Sequence, residues 1–473
     1  MLFPYISVLC SHLTYVLKKT ITIATILTLY SVSFLVYGSS TTTTSLAVYA
    51  QSDLPTIKSR DLVIDLDNGL KTNAQLTYPA VDSGNGKYPG VLLITGSGAE
   101  DMNETGGYIR IDNKTGEKIY PSTPFFQIAQ YLSERGFAVL RYDKRGVGTN
   151  HTILDSNVWG NLTINNLVDD ANKALAVLIN QPEVDANKIT VLGHSEATAI
   201  APRLAIDNPN KVKNIVLMAT LAPNASEMLY FQRVSLPISY AQKVLDKNHN
   251  GLLSVQEASK DVTFQTLIGG NVSLVLTKNF PNGTKILNPK DNPNNDTYIN
   301  IDTELKPALI EQAKSFFSTS RIVGSTTTTT SSSTANTTTA APSEKCINLE
   351  GCPMYLQSFL GLEPNLNTIS KVPTNTSILI LNGENDTQTP VQWAFSVQQK
   401  LTQINHPDHI LITYPNLGHE FYPSSQWQTQ QGPIQQYVLA DIYSWLEAHS
   451  GLTHPRTPTP MLSSYSSSNS TAK

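Results

Sequence analysis

Near residue 60 the chain alternates apolar and polar positions, and further on it changes rhythm. Stretches 62–67 and 74–78 have the period of two expected of half-buried strands and read as an antiparallel pair. Continuous apolar runs then take over at 91–95, 138–142, 189–193 and 215–219. Helical spacing between them predicts helices over 125–135, 166–180 and 197–206. Apolar strands alternating with helices predict an α/β fold, a mostly parallel doubly wound sheet covered on both faces. The rhythm stops near Leu221 and resumes at 377–381 and 409–414, ahead of a closing helix at 435–449. An inserted cap is therefore expected over 222–371, largely helical, dividing the core into 55–221 and 372–450. Within it the Thr/Ser-rich stretch 325–342 lacks the large apolar residues a core needs, as does the Ser/Thr/Pro tail 451–473.

The amino end bears on location. Lys18 and Lys19 precede an uncharged apolar run, 21–37, and Val48-Tyr49-Ala50 then resembles a cleavage site. Residues 1–50 read as a signal peptide or an N-terminal membrane anchor, with attachment through 20–37. Either reading places the protein outside the cell or on its surface. N-x-[S/T] triplets at Asn103, Asn113, Asn150, Asn161, Asn224, Asn271, Asn282, Asn295, Asn336, Asn375, Asn385 and Asn469 agree with export. The Asn385 sequon sits beside a candidate catalytic aspartate, where a glycan would obstruct the site, so that asparagine is expected to be bare. Of three cysteines, Cys346 and Cys352 are spaced for a small disulfide loop. Charged residues are only 15% of the chain and net charge is −4, which gives no basic footprint for nucleic acid.

The chemistry is carried by three short strings. Gly193-His194-Ser195-Glu196-Ala197 follows an apolar strand and opens a helix, the context of a nucleophile elbow, with alanine in place of the usual last glycine. After the next resumed strand comes Asn382-Gly383-Glu384-Asn385-Asp386. Asp386 is the candidate for orienting an imidazole, with helix capping as its plain alternative and Glu384 as a competing acid. Past the last strand, Leu417-Gly418-His419 supplies the base. The order Ser, Asp, His at three strand ends is that of the hydrolase sheet. An ester carbonyl turning into an oxyanion needs backbone donors. The amide of Glu196 is one, and Ser97 in Gly96-Ser97-Gly98-Ala99 is the first choice for the other, with Gly98 next.

These strings, with Gly96-Ser97-Gly98-Ala99-Glu100-Asp101 and Arg141-Tyr142-Asp143-Lys144-Arg145-Gly146-Val147-Gly148, resemble α/β-hydrolase esterases of the serine aminopeptidase-like group. The resemblance covers about 62–221 and 372–446. It implies an α/β-hydrolase fold, carboxylic-ester hydrolysis and a cap over the site. It also implies that Asp143, Arg145 and Gly148 brace the loop beneath the site and that Glu196 tunes the charge of the mouth. Peptidase activity does not follow from it.

Inside the insertion, 246–257 fits D-x-[DN]-x-[DN]-G-x5-E, the EF-hand calcium loop. Asp246, Asn248 and Asn250 side chains, the Leu252 carbonyl, a water beside Ser254 and bidentate Glu257 supply oxygens, and Gly251 the sharp turn. Helices are expected at 239–245 and 255–268. With no sister loop to pair with and only two charged ligands, the expectation is weak, structural Ca2+. No cofactor is expected for catalysis.

The sequence thus points to a secreted or surface-anchored serine esterase taking a small-molecule ester. An aminopeptidase or amidase of the same fold, and a catalytically silent calcium-dependent surface-binding protein, are the alternatives.

Overall fold

The computed structural model describes residues 57–80, 87–106, 110–111, 118–119, 121–269, 298–322, 352–428 and 430–452. The amino-terminal apolar run, the stretch 325–342, the tail from 453, Cys10 and Cys346 lie outside them, as do the sequons at Asn113, Asn271, Asn282, Asn295, Asn336 and Asn469. Cys352 is fully buried and disulfide-bonded, its partner also outside the described residues.

Ten strands matter here: β1 (Ile57–Asp65), β2 (Lys71–Pro79), β3 (Tyr88–Ile94), β4 (Ala138–Tyr142), β5 (Val184–His194), β6 (Val212–Met218), β7 (Leu252–Ser254), β8 (Tyr298–Asn300), β9 (Ser377–Gly383) and β10 (His409–Tyr414). All but β7 and β8 form one sheet in the order β1-β2-β4-β3-β5-β6-β9-β10. β1 and β2 run antiparallel to their neighbours and the other six are parallel.

Helices α1 (Pro124–Ser133), α2 (Ile164–Ile179) and α3 (Ala197–Asp207) belong to the first half of the core. The region between β6 and β9 carries α4 (225–245, alternating α- and π-turns), α5 (Val255–Ala258), α6 (Val262–Leu267), α7 (Lys306–Ile322), α8 (Pro353–Leu360) and α9 (Asn365–Ile369). Two helices close the fold, α10 (Val391–Gln403) and α11 (Gln436–Ser450).

Burial explains why the central strands read as unbroken apolar runs. In β9, Ile378 and Ile380 pack into a layer with α2, α3 and α10, whereas Leu379 and Leu381 enter the opposite layer with α1 and α11. β3 divides in the same way, Leu92 and Ile94 against Val91 and Leu93. A strand covered on both faces has no polar side to show. Each such side chain contributes about 1.5–3 kcal/mol of burial, so the sheet is a rigid base for whatever its ends carry.

Three expectations need correction. β5 begins five residues earlier than its apolar run, because Val184 and Asp185 pair with Tyr88 and Pro89 before a bulge restores the register at Ile189. Its polar start, Asp185 to Lys188, hides it from a hydrophobicity pattern. The helix expected over 255–268 is two short helices, because Asp261 caps the second by accepting from the Phe264 amide. Thirdly, the 246–257 loop is not alone: β7, within it, pairs antiparallel with β8, Leu253 opposite Ile299. Both side chains sit in a small separate core with Val234, Ile238 and Phe264.

Candidate active site

The parallel strands β3, β5, β9 and β10 end along one edge of the sheet, and a functional loop leaves each. Ser195 follows β5 directly and takes a left-handed φ of +54°. A non-glycine residue in that region costs about 1–3 kcal/mol, so the surroundings must hold it. They do so through the Ser195 amide, which donates to the Met218 carbonyl at 2.8 Å, and through α3, which starts two residues on. Gly193 is required by crowding: a Cβ there would stand 2.4 Å from the Ala197 carbonyl oxygen. Ala197 itself is fully buried.

Asp386 and His419 meet across the next two loops. The His419 Nδ1 lies 3.0 and 2.9 Å from the two Asp386 carboxylate oxygens. The carboxylate also accepts from the Gln388 amide, the Thr389 amide and the Thr389 hydroxyl, at 2.8, 2.8 and 2.7 Å. Burial opposes its ionisation, but the imidazole and the Thr389 donors outweigh that and hold its pKa below the ordinary range. Gly383 permits the approach, since a Cβ there would fall 2.3 Å from the Leu417 carbonyl oxygen. The competitor Glu384 is exposed and accepts from Thr413 instead. His419 Nε2 has no partner among the described residues, and no hydrogen bond joins it to the Ser195 hydroxyl, a looseness common before substrate arrives. The Asn385 side-chain amide donates to the Ser424 carbonyl at 2.7 Å.

The loop after β3 is held on both sides. The Gly96 amide donates to Glu104 Oε1 at 2.6 Å, and the Lys144 ammonium donates to the Gly96 carbonyl. The next amide, that of Ser97, donates to no acceptor among the described residues. Asp101 is buried and accepts from the amides of Asn103, Thr105 and Asn150, closing the turn beyond. Asp143 accepts from the Met102 amide at 2.7 Å and Arg145 pairs with Asp170 on α2, so both brace the site from below.

Glu196, to which the resemblance assigns the tuning of the charge at the mouth, is buried and paired. Its carboxylate is 2% exposed, accepts from Lys144 at 3.0 Å and accepts the Tyr355 hydroxyl of α8. Ser97, Ser195 and Glu196 line a pocket of about 460 Å³, closed by Leu221, Met228, Leu229, Gln232, Leu356 and Phe359. The walls from α4 and α8 are apolar apart from Gln232 and Tyr355.

The sequence missed a second buried pair behind the first. His194 Nδ1 lies 2.9 Å from Glu104 Oε1, and His194 Nε2 lies 3.1 Å from the His419 carbonyl oxygen. Burial opposes protonation of His194, but Glu104 outweighs it and raises the pKa to about 9. Glu104 is correspondingly lowered: burial pushes it up, and the His194 charge and hydrogen bond push it further down. Burial raises Glu100 to about 8 and Glu420 to about 7, each with help from the Glu104 charge. Lys144 was in view, inside Arg141–Gly148. No string marks Glu104 or Tyr355. Among the described residues no group of three His, Cys, Asp or Glu side chains is placed to hold a metal at this site or elsewhere.

A family model described as alpha/beta hydrolase fold matches residues 115–425. Esterase EstD of Thermotoga maritima is 29% identical over 210 residues, 44% of this chain. The match spans 42% of that relative's length. Among solved structures, a highly thermostable carboxyl esterase from Bacillus coagulans superposes with a TM-score of 0.43 at 14% identity, covering 83% of this chain and 99% of that one. Dipeptidyl peptidase 4 of Porphyromonas gingivalis gives 0.41 at 12% identity, over 83% of this chain and 35% of that one.

Proposed function

The chain belongs to the α/β-hydrolase fold family, and on that premise we propose that it is an exported serine hydrolase that cleaves carboxylic esters. The observation that carries the reading is His419, pinned through Nδ1 to a buried, ionised Asp386, its other ring nitrogen without a partner among the described residues, on the same edge of the sheet as a serine on a strained elbow. His419 Nε2 takes the proton as Ser195 Oγ attacks the ester carbonyl carbon. The amides of Ser97 and Glu196 receive the oxyanion, and Asp386 stabilises the imidazolium. The imidazolium returns the proton to the departing alcohol, leaving an acyl-serine. Water, deprotonated by the same imidazole, releases the acid and restores the hydroxyl.

The pocket favours an ester over a peptide amino terminus. A free ammonium group would seek an unpaired carboxylate, and the one acid among the lining residues, Glu196, is already paired with Lys144. The name of the Thermotoga relative, an esterase, points the same way. Export rests on the basic-then-apolar amino end and the sequons. Hydrolysis of p-nitrophenyl acetate, butyrate and octanoate by the full chain tests the reading. Ser195→Ala should lower the rate about 10⁴-fold or more. Turnover surviving in that variant, or none in the wild type on any of the three, would end it.

A further inference from the structure

We infer that residues 246–257 bind one calcium ion, and that the ion fixes the carboxyl end of a helix whose other end forms the wall of the ester pocket. The metal site is independent of the esterase reading; only its effect on substrate rests on it.

The structure adds four things to the sequence pattern. First, Asp246 lies at the end of α4 and is 5% exposed, yet no cationic side chain among the described residues pairs with it. Among the described residues its carboxylate accepts only the amides of Asn250 and Gly251, at 3.1 and 2.8 Å, and a buried carboxylate without a counter-charge is unfavourable. Second, the chain turns back around that carboxylate through left-handed His249 and Gly251, φ +55° and +77°, the fourth and sixth positions of the twelve. Third, Ser254 at the ninth position caps α5 by accepting the Glu257 amide, which sets in the first turn of the outgoing helix the residue that must supply the last two oxygens.

Fourth, the register of β7 on β8 places Leu253 and Ile299, both buried, directly opposite each other. Asn300 caps the helical segment after β8 by accepting the Asp302 and Thr303 amides, as Ser254 caps α5. The second half does not repeat the chemistry: four residues past Ile299 stands Thr303, where Glu257 stands four past Leu253. One ion per chain follows. The donors are all oxygen, which suits a hard cation, and a twelve-residue loop ending in a bidentate glutamate suits Ca2+ better than octahedral Mg2+.

α4 carries the consequence toward the pocket. Met228, Leu229 and Gln232 near its start line the cavity, and the Gln232 side-chain amide donates to the Gln388 carbonyl at 2.9 Å, in the turn that holds Asp386. Near its end, Tyr240 packs edge-on against Trp427 at 5.4 Å and Lys243 lies over the same ring at 5.8 Å, on the loop after His419. The residue that follows this helix, Asp246, is the first calcium ligand.

The test is calorimetric titration of Ca2+ into the full chain bearing Ser195→Ala, which removes hydrolysis from the measurement. One site per chain is expected with a Kd of about 10⁻⁴ M, the range of extracellular loops with few charged ligands. The site should disappear in Asp246→Asn and in Glu257→Gln, and Ca2+ should raise the melting temperature of the parent but of neither variant. No heat in the parent up to millimolar Ca2+, binding that survives both substitutions, or Mg2+ binding as tightly, would each overturn the assignment. In the active chain, chelation should raise KM for p-nitrophenyl butyrate about fivefold with kcat far less affected, the low end of coupling between linked sites. An unchanged KM alongside a normal binding isotherm would leave the ion in place and refute its link to the pocket.

Discussion

Two buried carboxylate–histidine pairs stand back to back in this protein, and only one of them leaves a ring nitrogen without a partner among the described residues. Asp386–His419 and Glu104–His194 have nearly the same nitrogen–oxygen distance, and their imidazole rings lie 4.8 Å apart. The difference lies in the second ring nitrogen. In His194 it meets the His419 backbone carbonyl, so both nitrogens are occupied and the raised pKa keeps the ring protonated. In His419 it has no partner among the described residues. Acid–base chemistry needs a site that can give up its proton and take it back, whereas a saturated imidazolium is a strut. His194 ties the His419 loop to Glu104, and Glu104 in turn holds the Gly96 amide beside Ser97, the proposed oxyanion donor.

The largest effect should come from breaking the first pair. Asp386→Asn keeps the shape but offers Nδ1 the wrong partner, and kcat on p-nitrophenyl butyrate should fall about 10⁴-fold, with the fold intact by circular dichroism. A loss of tenfold or less would mean that Asp386 only caps its turn and that another acid orients the ring.

Breaking the second pair should cost less and look different. Glu104→Gln removes the charge that keeps His194 protonated while retaining an oxygen for the Gly96 amide. Misplacing reacting groups by about an ångström lowers kcat by about 10²-fold, and that is the upper scale expected here, with KM nearly unchanged. If His194 were itself the base, Glu104→Gln would instead match Asp386→Asn in size, and the comparison between the pairs would collapse.

The two pairs also differ in how far the sequence revealed them. Ser195, Asp386 and His419 were legible because each follows an apolar strand in a turn of fixed chemistry, and a parallel sheet forces those turns to one edge. The strands were legible for the same reason, since burial on both faces leaves unbroken apolar runs. Glu104 was not, because it reaches His194 across 90 residues of chain from an irregular loop, and no periodicity records such a contact. Tyr355 reaches Glu196 across 159 residues in the same way. The partner of the 246–257 loop escaped notice because β8 is three residues long and stands 44 residues beyond β7. Short pairings at long separation are set by packing, here the meeting of Leu253 and Ile299, and leave little trace in composition.

The smallest expected effect concerns the surroundings of the strut. His194 holds its proton to about pH 9 when folded, against 6.5 ordinarily. Glu100 and Glu420 hold theirs to about 8 and 7, against 4.5. For all three the folded chain binds more protons than the unfolded one, so stability should fall as pH rises from about 4.5 to 9. Glu104 and Asp386 work the other way, their pKa values being depressed: their contribution is complete above the ordinary carboxylate range and is lost only as pH drops below it. The melting temperature should therefore be higher at pH 5.5 than at pH 8.5. Glu420 makes the test sharp, because its Oε2 is buried with no partner among the described residues and an amide can replace the protonated acid at little cost. Glu420→Gln should flatten the decline between pH 5.5 and 8.5 while leaving the value at pH 5.5 close to that of the parent. Parallel curves for the two proteins would show that Glu420 ionises freely in the folded state, and the protonated cluster around His194 would then reduce to Glu100 and the histidine alone.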